Sequence, residues 1–405
     1  MLLYRCLFTL ALPLLLLALL IRVLRGIESL TDFRERLGLC SDLPKGAVIW
    51  CHAASNGELN AARVILQELV KSNTLLITCN STSGRALVQS WGLDNSTCRL
   101  APLDLTWLHR RIARKLDVQK FVLFEADFWP NRLSALEAAG IPLALIGGRI
   151  SEKSTKGWLR FPTLADRVFG SFDLVCAQDC DAEERLTKLG AHAFGAQISL
   201  KSLYQAALDP KPSAKRNTTW LAASTHDGED SILLQAHQQI LRVQPNVKLI
   251  LAPRHPKRGD AIVALAKGLG LSVAQRSKGA AFETDASVYV ADTLGEMDMW
   301  YAAAGTCFVA GSLIAKGGHT PYEPLAHGCA IIHGPHLENF ARAYEALAAQ
   351  NGARLCRSSE DIAQAVLDLT NPDTAKAQCK NAQIALSQSD ALESVLLALR
   401  QLSKN

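Results

Sequence analysis

The feature that most constrains this chain is a regular alternation of short apolar runs with amphipathic stretches of helical period. Five runs predict buried strands in the first half, at 47–53, 74–79, 121–124, 143–146 and 174–177. Helical patterns lie between them, including 58–70, 84–91, 107–115 and 182–189. Strands separated by helices of this length indicate right-handed βαβ units around a parallel sheet.

The alternation restarts in the second half, where strands are predicted at 219–223, 248–252, 287–291, 306–310 and 330–333. Between the halves, 208–217 holds two prolines, three cations and almost nothing apolar, which is typical of a linker. The sequence therefore predicts an α/β protein with two Rossmann-like, doubly wound domains facing a cleft. Their predicted bounds are an anchor at 1–26, an N-terminal domain at 27–208, a linker at 209–217 and a C-terminal domain at 218–405.

The first residues form a separate, strongly apolar segment. No charge occurs from 6 to 21, and this length is at the short edge of what spans a bilayer, about 17 to 25 residues. Arg22, Arg25, Arg34 and Arg36 follow the run and only Arg5 precedes it, a bias that places the bulk of the chain in the cytoplasm. A cleaved signal peptide is the alternative, but no small-x-small cleavage site follows. We expect an uncleaved anchor or a deeply inserted interfacial helix.

Charge and cysteine content exclude several classes of protein. The formal net charge of +5 is too small to indicate nucleic-acid binding; it fits an anionic membrane surface or anionic substrates, and equally an ordinary surface. Eleven cysteines are scattered along the chain. The closest pair, Cys176 and Cys180, has no second pair or histidine cluster at zinc-binding spacing. Reduced thiols in a cytosolic compartment, with no metal site, are the simplest interpretation.

Two polar segments follow predicted strands of the first domain. Residues 52–58 (HAASNGE) leave a strand and open a helix, so Glu58 falls in the first helical turn. A carboxylate there can act as a general base, or it can simply complement the helix dipole. Residues 124–131 (FEADFWPN) can form a rigid pocket wall or a helix cap with Pro130 near the first helical position.

Two further segments follow strands of the second domain. Arg254 and His255, after the strand at 248–252, suit a phosphate group but also fit an ordinary exposed pair. Gly317 and Gly318 allow close backbone approach to a ligand, and Glu323 can bridge ribose hydroxyls. A plain loop does not need this combination of residues.

Several common catalytic signatures are absent. No GxGxxG or GxxxxGK[ST] occurs in the right setting, and neither GxSxG nor HExxH is present. One DxD triplet occurs, Asp179–Cys180–Asp181, but it lies directly before the predicted helix at 182–189, where acidic residues are typical of a helix N-terminus. We therefore expect phosphate charge to be neutralised by cations and helix termini, without a metal.

Seven blocks, in order along nearly the whole chain, resemble the Kdo (3-deoxy-D-manno-octulosonic acid) transferases of the GT-B type. They are HAASNGE (52–58), EADFWPN (125–131), GGRISEKS (147–154), STHDGED (224–230), APRH (252–255), DTLGEM (292–297) and GSLIAKGGHTPYEP (311–324). Any one block would be weak, but seven in order with plausible spacing are specific.

The resemblance implies roles for individual residues. Glu58 matches the catalytic base of the family. The donor site is implied at Arg254, His255, Gly317, Gly318, His319, Thr320, Glu323 and Lys201, with Ser224, Thr225 and His226 at its mouth.

The sequence also departs from the family pattern at three places. Thr320 stands where the family usually has Asn, and Asp127 stands where it has Glu. A family block GNLKFD survives only as 198–203, which keeps Lys201 but has Ser199 for Asn and no aromatic residue. These changes preserve the nucleotide-binding residues and leave sugar and acceptor recognition open.

The function implied by the resemblance is an inverting transfer of Kdo from CMP-Kdo to a lipid A precursor, lipid IVA, in lipopolysaccharide synthesis. The expected location is the bacterial inner membrane, with cytoplasmic catalytic domains, no cofactor and no nucleic-acid partner. Two alternatives remain: a GT-B transferase or epimerase using another nucleotide sugar, and a non-catalytic membrane scaffold with the same fold.

Overall fold

The computed structural model describes residues 1–39, 43–44, 46–204, 214–387 and 389–403. The chain divides into two compact units, the first formed by Met1–Leu203 with Gln388–Asn405 and the second by Tyr204–Ser387. Of the predicted linker 209–217, residues 209–213 lie outside the described part, and Ala214–Asn217 forms a short helix. The second unit ends before 388, whereas the sequence predicted a second domain reaching 405.

The first unit contains a six-stranded sheet in the order β3-β2-β1-β4-β5-β6, with every paired strand parallel. Its strands are β1 (Ala47–His52), β2 (Thr74–Cys79), β3 (Ser96–Leu100), β4 (Asp117–Phe124), β5 (Leu143–Gly148) and β6 (Leu174–Ala177). Its helices are α1 (Leu2–Leu24), α2 (Leu30–Arg36), α3 (Asn56–Val70), α4 (Thr82–Ser90), α5 (Thr106–Lys115), α6 (Pro130–Glu137), α7 (Glu152–Trp158), α8 (Pro162–Phe169), α9 (Cys180–Lys188) and α18 (Ser389–Gln401).

The β1 strand shows why this sheet is buried on both faces. Ile49 and Cys51 pack into one hydrophobic core, and Val48 and Trp50 pack into a second core on the opposite face. Successive side chains of a strand point to opposite faces, so a continuous apolar run is needed when helices cover both. The doubly wound α/β fold predicted from the sequence is confirmed.

The last helix, α18, packs on the first unit. Val395 and Leu399 are buried in the core that also holds Ile49, and the Nζ atom of Lys120 donates to the carbonyl oxygen of Leu399 at 2.5 Å. The apolar spacing of α18 predicts a helix with a buried face, but periodicity does not say which sheet that face meets. This contact explains the difference from the predicted bounds.

The second unit contains a seven-stranded sheet in the order β13-β12-β11-β7-β8-β10-β9, again with parallel pairing. Its strands are β7 (Thr219–Thr225), β8 (Lys248–Pro253), β9 (Val273–Gln275), β10 (Val288–Val290), β11 (Thr306–Val309), β12 (Ala330–His333) and β13 (Ala353–Leu355). Its helices are α10 (Ala214–Asn217), α11 (Asp230–Val243), α12 (Gly259–Gly268), α13 (Met297–Ala303), α14 (Tyr322–Ala326), α15 (Ala341–Ala349), α16 (Ser359–Leu369) and α17 (Pro372–Leu386).

Three strands were not predicted from the sequence, and all three lie at sheet edges. They are β3 in the first unit and β9 and β13 in the second. The β3 sequence, STCRL, buries only Cys98 and Leu100. An edge strand pairs on one side only and need not be apolar on both faces. These three lack a continuous hydrophobic run, whereas β6, which is also at an edge, has one and was predicted.

The N-terminal helix α1 is long and apolar enough to cross a membrane, with a mean hydropathy of 2.6 over its most apolar window. It is longer at both ends than the charge-free run at 6–21. A signal sequence would satisfy the same criteria of length and composition.

Candidate functional site

In the first unit, Glu58 lies in the first turn of α3, just beyond the end of β1. The Ser55 hydroxyl accepts a hydrogen bond from the Glu58 backbone N–H at 3.3 Å, which caps the helix. The Glu58 carboxylate accepts one from the Ala54 N–H at 2.7 Å through Oε2. The side chain is therefore fixed in position while it remains partly exposed.

The surroundings of Glu58 raise the pKa of its carboxyl from 4.5 to about 7. Partial burial is the main cause, and the negative charges of Glu125 and Asp127 add to it. The Ala54 N–H and the charge of Arg149 act in the opposite direction. A carboxylate with a pKa near neutrality can both accept and release a proton under physiological conditions, which suits a general base.

Asp127 belongs to a buried polar cluster with His52 and Arg132. Its Oδ2 atom lies 2.6 Å from His52 Nε2 and 3.3 Å from an Arg132 guanidinium nitrogen. Burial and the charge of Arg132 lower the pKa of His52 to about 4, so at neutral pH the neutral imidazole donates to an ionised Asp127. Burial alone would raise the pKa of Asp127, but its hydrogen bond to His52 and the charge of Arg132 lower it to about 2.

This cluster includes residues that the sequence analysis missed. Arg132 is fully buried, and its role could not be read from the helical pattern around it. His52 is the first residue of the block HAASNGE, and the pattern of that block predicts no role for it. A charged residue within an apolar helix face, as in α6, is the signal that could have revealed Arg132.

Glu125 follows β4 with a φ of 57°, a left-handed conformation that is uncommon for residues other than glycine. Its carboxylate pairs with Arg149 at 2.5 Å, and its carbonyl accepts from the Arg149 N–H at 3.2 Å. Residues held in such strained conformations are concentrated at functional sites. At the other end of the segment, Pro130 is the first residue of α6, in the helix-start position that the sequence offered for it.

In the second unit, three adjacent strands end at the predicted donor-site segments. The strands β11, β7 and β8 are neighbours; β11 and β8 lead into Gly311 and Arg254, and Ser224 lies at the end of β7, one residue before its last residue. The Arg254 N–H donates to the Thr225 carbonyl at 3.0 Å. Because the carboxyl ends of parallel strands meet at one edge, the structure brings these segments together where ligands of such sheets bind.

Glu229, a residue without a predicted role, organises this edge. It is fully buried, and its carboxylate accepts hydrogen bonds from the backbone N–H groups of His226, Gly311, Ser312 and Leu313 at 2.8–3.1 Å. Hydrogen bonds to an ionised acceptor are stronger than neutral ones. A single carboxylate thus ties the turn after β7 to the turn after β11.

Gly317 and Gly318 have φ values of 82° and 71°. A Cβ atom on Gly317 would lie 2.6 Å from the side chain of Asn339, and one on Gly318 would lie 3.0 Å from the His336 carbonyl oxygen. Only glycine combines this conformation with this space. The segment folds back on itself, because the Gly318 N–H donates to the Gly311 carbonyl at 2.8 Å.

His226 and His319 stack against each other, with ring centroids 5.1 Å apart and planes within 11°. Their Nε2 atoms are 2.9 Å apart, and His255 approaches the His226 ring edge-on at 6.5 Å. Burial, His226 and the charge of Arg254 lower the pKa of His319 to about 4, so it is neutral at physiological pH. A neutral imidazole can donate to a phosphate or ribose oxygen without adding charge.

Arg254 is exposed and pairs with no carboxylate in the described parts of the chain. Arg258, four residues on, instead contacts Asp230 and donates to the Thr225 carbonyl at 2.9 Å. The Arg258 guanidinium is therefore occupied by contacts within the segment after β7, whereas the Arg254 guanidinium is exposed to solvent. An unneutralised guanidinium beside a glycine-rich loop is suited to bind a phosphate group.

The remaining predicted residues fall in two places. Glu323 lies in the first turn of α14, 3.4 Å from the Tyr301 hydroxyl, and the Thr320 hydroxyl accepts from the Tyr322 N–H at 3.3 Å. Lys201 lies in the 3-10 helix Leu200–Leu203. Lys201 and Glu58 both belong to the first unit. The predicted site residues are thus divided between the units: Glu58 and Lys201 in the first, all the others in the second.

Comparison with known proteins identifies the family of this chain. The family model for the 3-deoxy-D-manno-octulosonic-acid transferase (kdotransferase) matches residues 31–202. A 3-deoxy-D-manno-octulosonic acid transferase of Bordetella pertussis is 33% identical over 338 residues, 75% of each protein. The chain belongs to the Kdo transferase family. A probable mitochondrial transferase of this family from Arabidopsis thaliana is 31% identical over 376 residues, covering 87% of this chain and 84% of the relative.

Solved structures confirm the GT-B-like fold of this transferase. UDP-GlcNAc 2-epimerase from Neisseria meningitidis superposes with a TM-score of 0.59 at 12% identity, over 88% of this chain and 100% of the epimerase. A sequence identity of 12% supports a shared fold and nothing about function. The relationship to the Kdo transferases that the sequence blocks indicated is confirmed, and with it the assignment as a glycosyltransferase.

Proposed function

We propose that this transferase moves Kdo from CMP-Kdo to a hydroxyl group of a lipid A precursor, lipid IVA, in a single inverting displacement. The observation that carries the proposal is Glu58, a positioned carboxylate at a strand end whose pKa is raised to about 7. Family membership supports the donor sugar and the reaction class.

In this mechanism, Glu58 accepts the proton of the acceptor hydroxyl while that oxygen attacks the anomeric carbon of Kdo. The bond from this carbon to the CMP phosphate breaks, and the phosphate leaves with both bonding electrons. Arg254, together with Lys201, neutralises the departing charge, and Gly317 and Gly318, which have no side chains, let the phosphate approach the backbone closely. Glu323 binds the ribose hydroxyls, and His319 and Thr320 line the nucleotide site, with Ser224, Thr225, His226 and His255 beside it.

We further propose that α1 anchors the chain to the bacterial inner membrane and that both units lie on the cytoplasmic side. Its hydropathy and the cations that follow it support this placement. An anchored enzyme meets an amphiphilic acceptor within the bilayer surface, so a lipid substrate and a membrane location agree.

The direct test is to incubate the purified full chain with CMP-Kdo and a tetra-acylated disaccharide acceptor and to measure the product by mass spectrometry. Addition of one or more Kdo masses is expected. Thermal shifts in CMP and in UDP are measured in parallel, because only a ligand that binds the folded state stabilises it. Stabilisation by UDP and not CMP would favour another nucleotide sugar, and the absence of both stabilisation and transfer would favour a scaffold.

A further inference from the structure

The N-terminal helix α1 contacts the first unit at its first turn. The Tyr4 hydroxyl donates to Asp104 Oδ2 at 2.8 Å, and the Arg5 guanidinium donates to Asn131 Oδ1 at 3.3 Å. The Phe8 ring meets Trp129 edge-on at 6.4 Å. Asp104 is itself buried and accepts from the backbone N–H groups at the start of α6. The helix start is therefore docked on the body of the protein.

The chain beyond the other end of α1 returns to the same region. The Leu103 N–H donates to the Arg36 carbonyl at 2.9 Å, next to Asp104, and Arg36 pairs with the buried Glu28 at 3.0 Å. A helix of 23 residues is about 35 Å long, and a bilayer core is about 30 Å thick. A helix that crossed the bilayer would carry Tyr4 to the far side, where it could not reach Asp104.

The two faces of α1 differ in exposure along its whole length. One face is partly covered, at Tyr4, Phe8, Ala11, Leu12, Leu15, Leu16, Leu19 and Val23. The opposite face is an exposed apolar stripe, formed by Leu3, Leu7, Leu10, Leu14, Leu17, Ile21 and Leu24. The stripe repeats every three or four residues, as expected for one side of a helix. On the less exposed face, Tyr4 and Phe8 contact the body of the protein, although no residue of α1 is fully buried. Acyl chains would cover the opposite, exposed face.

A cationic cavity of about 760 Å³ lies between the first turns of α1 and helix α5. Five of its ten lining residues are cations, and none is acidic. Arg110, Arg111 and Arg114 project from α5, are exposed, and form no ion pair with any residue in the described ranges. The exposed Trp107 stands beside them, and tryptophan prefers the headgroup level of a membrane. Basic pockets next to membrane helices are suited to anionic lipid headgroups.

We propose that α1 lies in the plane of one membrane leaflet, with its outward stripe among the acyl chains and the α5 cations at the phosphates of anionic phospholipids. The N-terminus then stays on the same side of the membrane as the two units. This inference concerns how the chain is held at the membrane. It can fail while the proposed transfer reaction holds.

The first experiment places a short epitope tag before Met1 of the full-length chain and compares protease digestion in spheroplasts with digestion in inside-out membrane vesicles. An in-plane helix predicts that the tag is cut only in inside-out vesicles, together with the second unit. Cutting of the tag in spheroplasts, with the second unit protected, would show that α1 crosses the bilayer and would overturn the proposal.

The second experiment titrates phosphatidylglycerol, and separately phosphatidylcholine, into detergent-solubilised full-length protein and counts bound lipids by native mass spectrometry. Each cation near a lipid phosphate is worth roughly fivefold in affinity. The Arg110→Ala/Arg111→Ala/Arg114→Ala variant should therefore bind phosphatidylglycerol on the order of a hundredfold more weakly. The matched control, Arg242→Ala/Lys267→Ala/Lys376→Ala, removes the same charge from exposed positions of the second unit and should bind like the wild type.

Three outcomes would overturn the lipid assignment. The first is that the wild type binds phosphatidylglycerol and phosphatidylcholine equally well. The second is that the control variant loses as much phosphatidylglycerol affinity as the arginine variant. The third is that the phosphorylated disaccharide acceptor displaces bound phosphatidylglycerol. The last result would assign the cavity to the acceptor rather than to bulk phospholipid.

Discussion

The carboxylate of Glu229 accepts a hydrogen bond from the backbone N–H of Ser312 at 3.1 Å, across two segments separated by more than eighty residues. The same buried carboxylate holds the N–H groups of Gly311 and Leu313. Glu229 lies in the turn after β7, and its hydrogen bonds fix the conformation of the turn after β11. It is a positioning residue, because it is enclosed by the backbone it organises.

Glu229→Gln should lower the stability of the protein and weaken CMP binding together. The amide keeps one acceptor oxygen but loses the charge and places a donor among N–H groups, which costs about 2–3 kcal/mol. Thermal unfolding and calorimetric titration with CMP measure the two effects. Glu338→Gln, at an exposed position of the same unit, is the control. Unchanged CMP affinity in a destabilised Glu229→Gln protein would show that CMP binding does not depend on this carboxylate.

Glu58→Gln should reduce turnover by about 10²- to 10⁴-fold, the usual contribution of a general base. The amide preserves the shape of the side chain and cannot accept the proton. Folding and CMP affinity should stay at the wild-type level. Glu68→Gln, on the same helix, is the matched control and should keep full turnover. If the Glu58→Gln protein kept wild-type turnover, Glu58 would not be the general base and would serve only to stabilise the start of the helix.

The pH dependence of kcat/KM should follow the raised pKa of Glu58. The base must be ionised, so the rate should fall about tenfold per pH unit below a midpoint of about 7. Glu125→Gln removes one negative charge that raises this pKa, so the midpoint should move to lower pH. Glu137→Gln, at the exposed end of α6, should leave the midpoint in place. A midpoint near 4.5 in the wild type would contradict the assignment of the base.

Arg254→Ala should weaken donor binding by about 10- to 100-fold, the loss expected for a charge-assisted hydrogen bond to phosphate. The effect should appear first in the KM for the donor and in the dissociation constant of CMP. Lys257→Ala removes a neighbouring exposed cation and should change both values little. Equal effects from the two substitutions would indicate a general electrostatic field rather than a contact by Arg254.

Gly317→Ala should destabilise the second unit by about 1–2 kcal/mol and weaken CMP binding. The new residue must adopt a φ of 82°, and its Cβ would collide with Asn339. Gly268→Ala is the control, because Gly268 ends α12 with open space around its Cα and no left-handed φ. The double variant Gly317→Ala/Asn339→Ala separates the two causes. Full recovery of stability there would show that the clash, and not the backbone conformation, was decisive.

Much of the fold could be predicted from the pattern of apolar residues. Central strands such as β1 and β8 are buried on both faces, and their continuous apolar runs predicted their positions. The edge strands β3, β9 and β13 have no such run, because only part of their surface meets a core. The placement of α18 could not be predicted either, since its apolar face would fit any complementary surface.

The chain by itself determined the two βαβ alternations, the apolar N-terminus and the blocks that identify the Kdo transferase family, because each depends on residues close in sequence. The tertiary structure decided which residues meet. It placed Glu229 beneath the loop at 311–313, joined Asp127 to His52 and the buried Arg132, and docked Tyr4 on Asp104. These contacts join residues from 5 to 100 positions apart, and two of the four, Glu229 with the 311–313 loop and Asp127 with His52, depend on which strands are neighbours in a sheet. Local periodicity carries no record of that order.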